Sequence, residues 1–350
     1  MAKATNYYYD ILNKEQQKAY YAIKEGLLNL KDSFMVPMLT NKELSDIYFM
    51  IRMDCPEIFY TVTFSYKYYA NSTSVELVPK YLFTKDKIKE HRSAMEARVK
   101  KLARQAANLD EKGKELFIHD FIVENVKYDK LKKEYSHEII GALGNGVAVC
   151  EGIAKAVKIL CDELNVWCIL ALSEANPDKG IKYRHAWNVV RINGQYYHLD
   201  VTFDNTLSKD GVVRYDYMNL ADKQIFRDHE PVIWKVPACS DNEHFYYKEK
   251  KISWTTLDEV RNRTKQAVKK GKVLLFHWRG GYLTKEVFAE LLEIFKTEAK
   301  VKNKQAYVAV NWPQAVLRVR FDVSVGEESV GENVEMEEAN EGESIESETK

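Results

Sequence analysis

The stretch Arg184-His-Ala-Trp-Asn-Val-Val-Arg-Ile-Asn-Gly-Gln-Tyr-Tyr-His-Leu-Asp200 carries the most structural information in this chain. It reads as two strands joined by Asn193-Gly194, the strongest short-range signal for a two-residue type I′ hairpin. With those two residues in the turn, Ile192 faces Gln195, and positions whose numbers sum to 387 stand opposite one another. Trp187 then lies across from Asp200, and His185 across from Thr202. Because side chains alternate faces along a strand, His185, Trp187, Asp200 and Thr202 share one face. His185 and Asp200 are diagonal neighbours on it, within reach of each other. A carboxylate so placed accepts the Nδ1 proton of the imidazole, fixing its tautomer and stabilising the imidazolium.

Upstream, Gly146-Val-Ala-Val-Cys-Glu-Gly-Ile-Ala154 runs into a helix at the cysteine. Apolar residues recur at Ile153, Val157, Leu160 and Leu164, with Ala156 and Cys161 beside them, close to the helical period. Cys150 therefore belongs to the first turn, and Gly144-Asn145-Gly146 is the loop that delivers the chain to it. A thiol at a helix N-terminus sees the positive end of the dipole, and a neighbouring imidazolium lowers its pKa further. The expectation is a thiolate at neutral pH. Cys150, His185 and Asp200 thus have the order and setting of a cysteine-nucleophile triad. An oxyanion formed at such a thiol needs two donors; the Cys150 amide is one, and Asn145 is a candidate for the other.

These residues also carry a resemblance. Val149-Cys-Glu-Gly-Ile-Ala-Lys155, His185-Ala-Trp-Asn188 and Tyr197-His-Leu-Asp-Val-Thr-Phe-Asp204 resemble, in that order, the motifs of the transglutaminase-like superfamily in its bacterial branch. Ile118-His-Asp-Phe-Ile-Val-Glu-Asn-Val-Lys-Tyr-Asp129 resembles the helix leading into that core, and Asp54-Cys-Pro-Glu57 a short element of the N-terminal region of bacterial members. The resemblance covers roughly residues 115 to 235. It implies a papain-like α+β core with Cys150 as nucleophile, His185 as base and Asp200 as its orienting acid. Ile153 stands where Tyr is common in this branch, and Phe203 where Trp is common; both changes bear on packing and substrate fit.

With 45% apolar and 12% aromatic residues, the 350-residue chain is globular and long enough for two or three domains. The formal charge is zero, but ten of the Glu lie after Gly326, so the preceding part is net basic by about nine. No basic stripe concentrates this charge, so nucleic acid is not an expected partner. No run of eighteen apolar residues marks a membrane span, and Met1-Ala-Lys-Ala-Thr-Asn-Tyr7 has no apolar signal region. The expected location is the cytoplasm, or outside the cell if a signal has been trimmed. Five cysteines without paired short spacings speak against a disulfide framework and a zinc ribbon. No cofactor and no metal are expected: a zinc site from Cys150, His185 and Asp200 lacks a fourth ligand unless His198 joins it. No feature specifies an oligomeric state.

The predicted fold class is α+β: a papain-like, transglutaminase-like core with an N-terminal α+β region and a small C-terminal α/β domain. Helices are predicted over 14–30, 41–53 and 86–109, and strands over 58–69 and 75–81. After Pro237, helix, strand, helix, strand, strand are predicted over 255–270, 272–278, 284–299, 305–311 and 315–321. The predicted organisation is an N-terminal region at 1–110, a catalytic core at 111–238, the α/β domain at 239–325 and a disordered acidic tail at 326–350.

The expected chemistry is attack of the Cys150 thiolate on a protein or peptide amide, with His185 protonating the leaving amine and a thioester remaining. Water then gives a peptidase or amidase, the first expectation; a lysine amine gives a protein-glutamine acyl transferase, the second. A non-catalytic protein-binding scaffold that retains the triad is the third. Trp187 is read as a wall of the cleft or as core. His198 is read as a tuner of the site or as a cross-strand structural histidine facing Val189.

Overall fold

The computed structural model describes residues 6–179, 181–209 and 211–323, together with the strand 334–336. The N-terminal region holds α1 (Lys14–Leu28), β1 (Phe34–Pro37), α2 (Asn41–Asp54), β2 (Thr61–Tyr68), β3 (Ser74–Tyr81) and α3 (Lys85–Ala106). Both α1 and α2 open on capping boxes, Asn13 with Gln16 and Thr40 with Glu43, which satisfy amides the helices cannot pair internally. The three strands form an antiparallel sheet in the order β1-β3-β2. The sequence reading did not include β1.

The following segment contains α4 (Glu111–Asn125), β4 (Lys127–Tyr128), β5 (Val147–Ala148), α5 (Cys150–Glu163), β6 (Trp167–Ser173), β7 (His185–Ile192), β8 (Gln195–Leu199), α6 (Val201–Leu207) and β9 (Met218–Leu220). Strands β6 to β9 form an antiparallel meander in chain order, whose two faces are both buried. Alternation sorts their side chains. Cys168, Val190 and Ile192 pack in the cluster that includes α5, whereas Ile169, Ala171, Trp187 and Val189 face a second cluster containing Tyr217, Phe245 and Tyr247. The first cluster runs from Ala19 to Met218 without a break at residue 110, so the N-terminal helices and α5 share one apolar interior.

The C-terminal segment adds β10 (Ser253–Trp254), α7 (Leu257–Lys270), β11 (Leu274–Trp278), α8 (Lys285–Lys300), β12 (Lys304–Asn311), β13 (Val316–Val323) and β14 (Val334–Met336). Its mixed sheet runs β10-β11-β13-β12-β14 and packs α7 and α8 through its own apolar cluster. The fold is α+β, as predicted. The predicted disordered tail needs one correction: Val334–Met336 pairs in parallel with β12, an edge that offers free backbone groups to any short extended segment. The rest of 326–350 lies outside the described residues.

Candidate active site

Asn193 and Gly194 both have positive φ, 51° and 85°, as a type I′ turn requires. The register sums to 387 from Ile192↔Gln195 to Asn188↔Leu199, as the sequence reading has it. There the strand stops. Asp200 becomes the N-cap of α6, its Oδ1 accepting from the Phe203 amide at 3.0 Å. The predicted pairing of His185 with Thr202 is therefore wrong, because Thr202 is helical. An aspartate is among the best N-caps, and its capping preference ended the strand where alternation alone would have continued it.

The capping turn still leaves Asp200 beside His185. Asp200 Oδ2 accepts from His185 Nε2 at 2.5 Å, with both side chains buried. The contact uses Nε2, not the expected Nδ1. A neutral ring that donates Nε2–H has its basic lone pair on Nδ1. The ring stacks on Trp187, centroids 5.6 Å apart and 15° from parallel, and meets Phe203 at 4.8 Å. Burial lowers the His185 pKa against the raising influence of Asp200.

Cys150 opens α5 and is 0% exposed. It packs among Met50, Met53, Leu170, Leu172 and Ala186, and the Ala186 amide, next to His185, faces its sulfur. Gly152, one turn along, touches the Ser136 carbonyl so closely that a Cβ would lie 2.2 Å from that oxygen; any side chain there would push α5 off its seat. Burial pushes the Cys150 thiol up to about 12; the Ala186 amide opposes this, and the charges of Glu151 and Asp200 add to it. This corrects the expected resting thiolate: a helix dipole acts most where solvent leaves the terminus open, and here desolvation in an apolar pocket outweighs it.

Sequence reading missed His229. Its Nε2 lies 2.9 Å from the same Asp200 Oδ2, and its Nδ1 lies 2.8 Å from Asp228 Oδ1. Burial disfavours its charge, but hydrogen bonds to Asp200 and Asp228 raise it to about 9, so it sits between them as an imidazolium. Burial would raise Asp200, yet His185 and His229 hold it well below the usual carboxylate range. The Gln314 amide, from the β12–β13 turn, reaches Asp228 at 3.4 Å and so links the C-terminal segment to this chain of contacts. The adjacent Asp228-His229 pair was the available sequence signal, but it falls in irregular chain where no period assigns a direction.

Residues 100–201 match the family model of the transglutaminase-like superfamily. That stretch is a transglutaminase-like core. It ends one residue after Asp200, so His229 lies beyond it. Several solved structures align with the chain, among them the following three. A candidate cysteine protease from Cytophaga hutchinsonii does so at 17% identity over 40% of this chain and 61% of that one, with a TM-score of 0.26. A TGase aligns at 10% identity over 57% and 58%, with a TM-score of 0.27. A candidate protease from Parabacteroides distasonis ATCC 8503 aligns at 12% identity over 40% and 36%, with a TM-score of 0.22. The chain thus spans less than two thirds of each. No curated protein matches the sequence.

The other predicted site residues of the transglutaminase-like core divide. Trp187 is buried, and its indole N–H donates to His198 Nδ1 at 3.0 Å. His198 faces Val189 in the register, and its Nε2–H donates to Asp222 Oδ1 at 2.9 Å. Asn145 ends the short helical turn Ile140–Asn145 and is exposed.

Two groups of side chains have metal-ligand chemistry. His185, Asp200 and His229 bring ligand atoms within 4.8 Å of one another, as do His198, Asp222 and Cys239. In the first, the nitrogens lie 2.5 and 2.9 Å from one carboxylate oxygen. Ligands on a tetrahedral zinc with ~2 Å bonds stand about 3.3 Å apart, so these spacings suit shared protons. In the second, a metal on His198 Nε2 would require the ring proton on Nδ1, where the Trp187 N–H already points.

Under the core, Arg52 of α2 reaches Glu138 at 2.6 Å and Glu151 at 3.2 Å, and Lys155 bridges the same two carboxylates at 2.9 and 2.7 Å. This buried network ties the N-terminal region to the first turn of α5, and breaking any one partner would leave an uncompensated charge.

Proposed function

We propose that this protein performs cysteine-nucleophile acyl chemistry on a protein or peptide amide, with Cys150 as nucleophile, His185 as base and then acid, and Asp200 orienting the ring. The single observation that carries this reading is the His185 Nε2–Asp200 hydrogen bond at the start of β7, where the Ala186 amide meets the Cys150 sulfur. It leaves Nδ1 as the basic nitrogen. At rest both partners are neutral: burial raises the thiol and lowers the imidazole. Proton transfer to Nδ1 therefore accompanies attack on the carbonyl. His185 next hands that proton to the leaving amine, and Asp200 holds the transient imidazolium. In this reading 111–238 carries the chemistry, with 1–110 and 239–325 flanking it.

Peptidase or amidase activity is the leading outcome, the thioester being hydrolysed by water. One observation favours the transferase as a second reading: the apolar enclosure of Cys150 would shield a thioester from water until an amine arrives. The test is incubation with a glutamine-bearing protein and a labelled primary amine, scored in parallel for peptide-bond cleavage. Cleavage or ammonia release lost in Cys150→Ala supports hydrolysis; amine incorporation lost in the same variant makes it a transferase. Neither activity in the wild type would leave the retained-triad scaffold as the better account.

A further inference from the structure

Asp200 Oδ2 takes two imidazole protons at once, from His185 Nε2 at 2.5 Å and from His229 Nε2 at 2.9 Å. The other nitrogen of His229, Nδ1, lies 2.8 Å from Asp228 Oδ1. Asp228 is fixed in turn by the Tyr217 hydroxyl at 2.5 Å and the Gln314 amide at 3.4 Å. A ring whose two nitrogens both donate to carboxylates is an imidazolium, whereas a neutral His185 donates through Nε2 and keeps its lone pair on Nδ1. The two rings stand 5.1 Å apart, and both lie against Trp187 and Phe203. In that buried setting the charge on one ring is screened little from the other.

The base depends on that charge. A thiol in apolar surroundings gives up its proton only to a ring with an unprotonated nitrogen. A carboxylate beside a single imidazole favours the charged form of that ring; Asp200 has two such neighbours, and the cation on His229 answers it. Burial is the largest influence lowering the His185 pKa, Asp200 and then Asp228 raise it, and the His229 charge lowers it again. The other ionisable side chains facing these groups are Cys150, His198, Tyr217 and Tyr128. Burial keeps the thiol and both phenols protonated and lowers His198, so none of the four adds a charge.

We propose that His229, seated on Asp228, is a positioning residue for the acyl reaction: its charge and its hydrogen bond to the shared Asp200 oxygen keep His185 neutral between turnovers, with Nδ1 ready for the thiol proton. The inference rests on the acyl chemistry proposed above. As the Cys150 Sγ–carbon bond forms, the proton passes from Sγ to His185 Nδ1, and it moves on to an amine as that amine departs. His229 keeps both of its own protons throughout.

The test uses the full chain with nitrogen-15 histidine, observed by NMR from pH 5 to 8.5. The burst of p-nitrophenolate from p-nitrophenyl acetate is followed by stopped flow over the same range, in the wild type, His229→Gln and Cys150→Ala. At pH 7 the wild type is expected to show His229 protonated at both ring nitrogens and His185 at one, a reading that needs no variant. His229→Gln is expected to raise the pH at which His185 gains its second proton by about one to two pH units. The acid limb of the burst rate should move up with it, so that the loss is about tenfold or more near pH 6 and fades toward pH 8.5. A His229 ring with a single proton at pH 7 would overturn the proposal. So would a His185 titration and an acid limb that stay in place while the rate falls equally at every pH, the mark of a residue that only supports the fold. A wild-type burst no larger than that of Cys150→Ala would overturn the acyl chemistry and the base role with it, and the NMR titration separates that failure from an error about His229.

Discussion

Cys150, His185 and Asp200 use the same three residue types as Cys239, His198 and Asp222, and both sets depend on one hairpin. In the second set the Trp187 indole occupies His198 Nδ1 and the ring donates Nε2–H to Asp222, so both nitrogens are committed. Cys239 lies at a chain end of that network, its amide on Asp222 and its thiol on the Pro237 carbonyl at 3.7 Å. In the first set Asp200 takes Nε2–H, and Nδ1 is the nitrogen suited to receive a proton. Residue identity and proximity do not make a nucleophile–base pair; the hydrogen bond that chooses the tautomer does.

The comparison breaks most decisively at the sulfurs. Cys150→Ala is expected to abolish acyl turnover, a loss of at least about 10³-fold, while Cys239→Ala keeps wild-type activity; peptide or ester turnover measures both. The acids come next. Asp200→Asn retains the cap on Phe203, because Asn caps as well as Asp, but its amide no longer fixes Nε2–H. A fall of roughly 10³-fold in kcat is expected, with a lower Tm because the buried His229 imidazolium loses one of its two carboxylates. Asp222→Asn should stay within about tenfold, and equal losses at both positions would erase the distinction.

A smaller effect is expected at His229. Its folded pKa of about 9 lies above the ordinary histidine value, so its stabilising contribution is complete below about pH 6.5 and is lost as pH rises through 9. On the order of 3 kcal/mol follows from such a shift. His229→Gln should therefore lower Tm most at pH 6 and least above pH 9, with about a tenfold loss of kcat. A Tm difference independent of pH would contradict the imidazolium between Asp200 and Asp228. The smallest effect is Trp187→Phe, which frees His198 Nδ1 and should cost about 1 kcal/mol of stability with activity within severalfold.

Much of this was legible in the sequence because it rests on local rules. The Asn-Gly turn set the register of β7 and β8, the apolar stripe after Cys150 placed α5, and the flanking helices and strands fell within a few residues of their predicted bounds. What the sequence did not disclose depends on competition or distance. At Asp200 capping competed with strand alternation and won. At Cys150 the dipole was readable, but the apolar wall contributed by Met50 and Met53, about a hundred positions upstream, was not. His229 reaches the site from an irregular segment that has no period.

Intact-protein mass spectrometry with peptide mapping, after brief exposure to p-nitrophenyl acetate at pH 7, tests the central claim most directly. The account predicts one acetyl group, mapped to Cys150, formed far more slowly in His185→Gln and at an unaltered rate in His198→Gln. An acetyl group on Cys239, or one on Cys150 whose formation ignores the loss of His185, would contradict it.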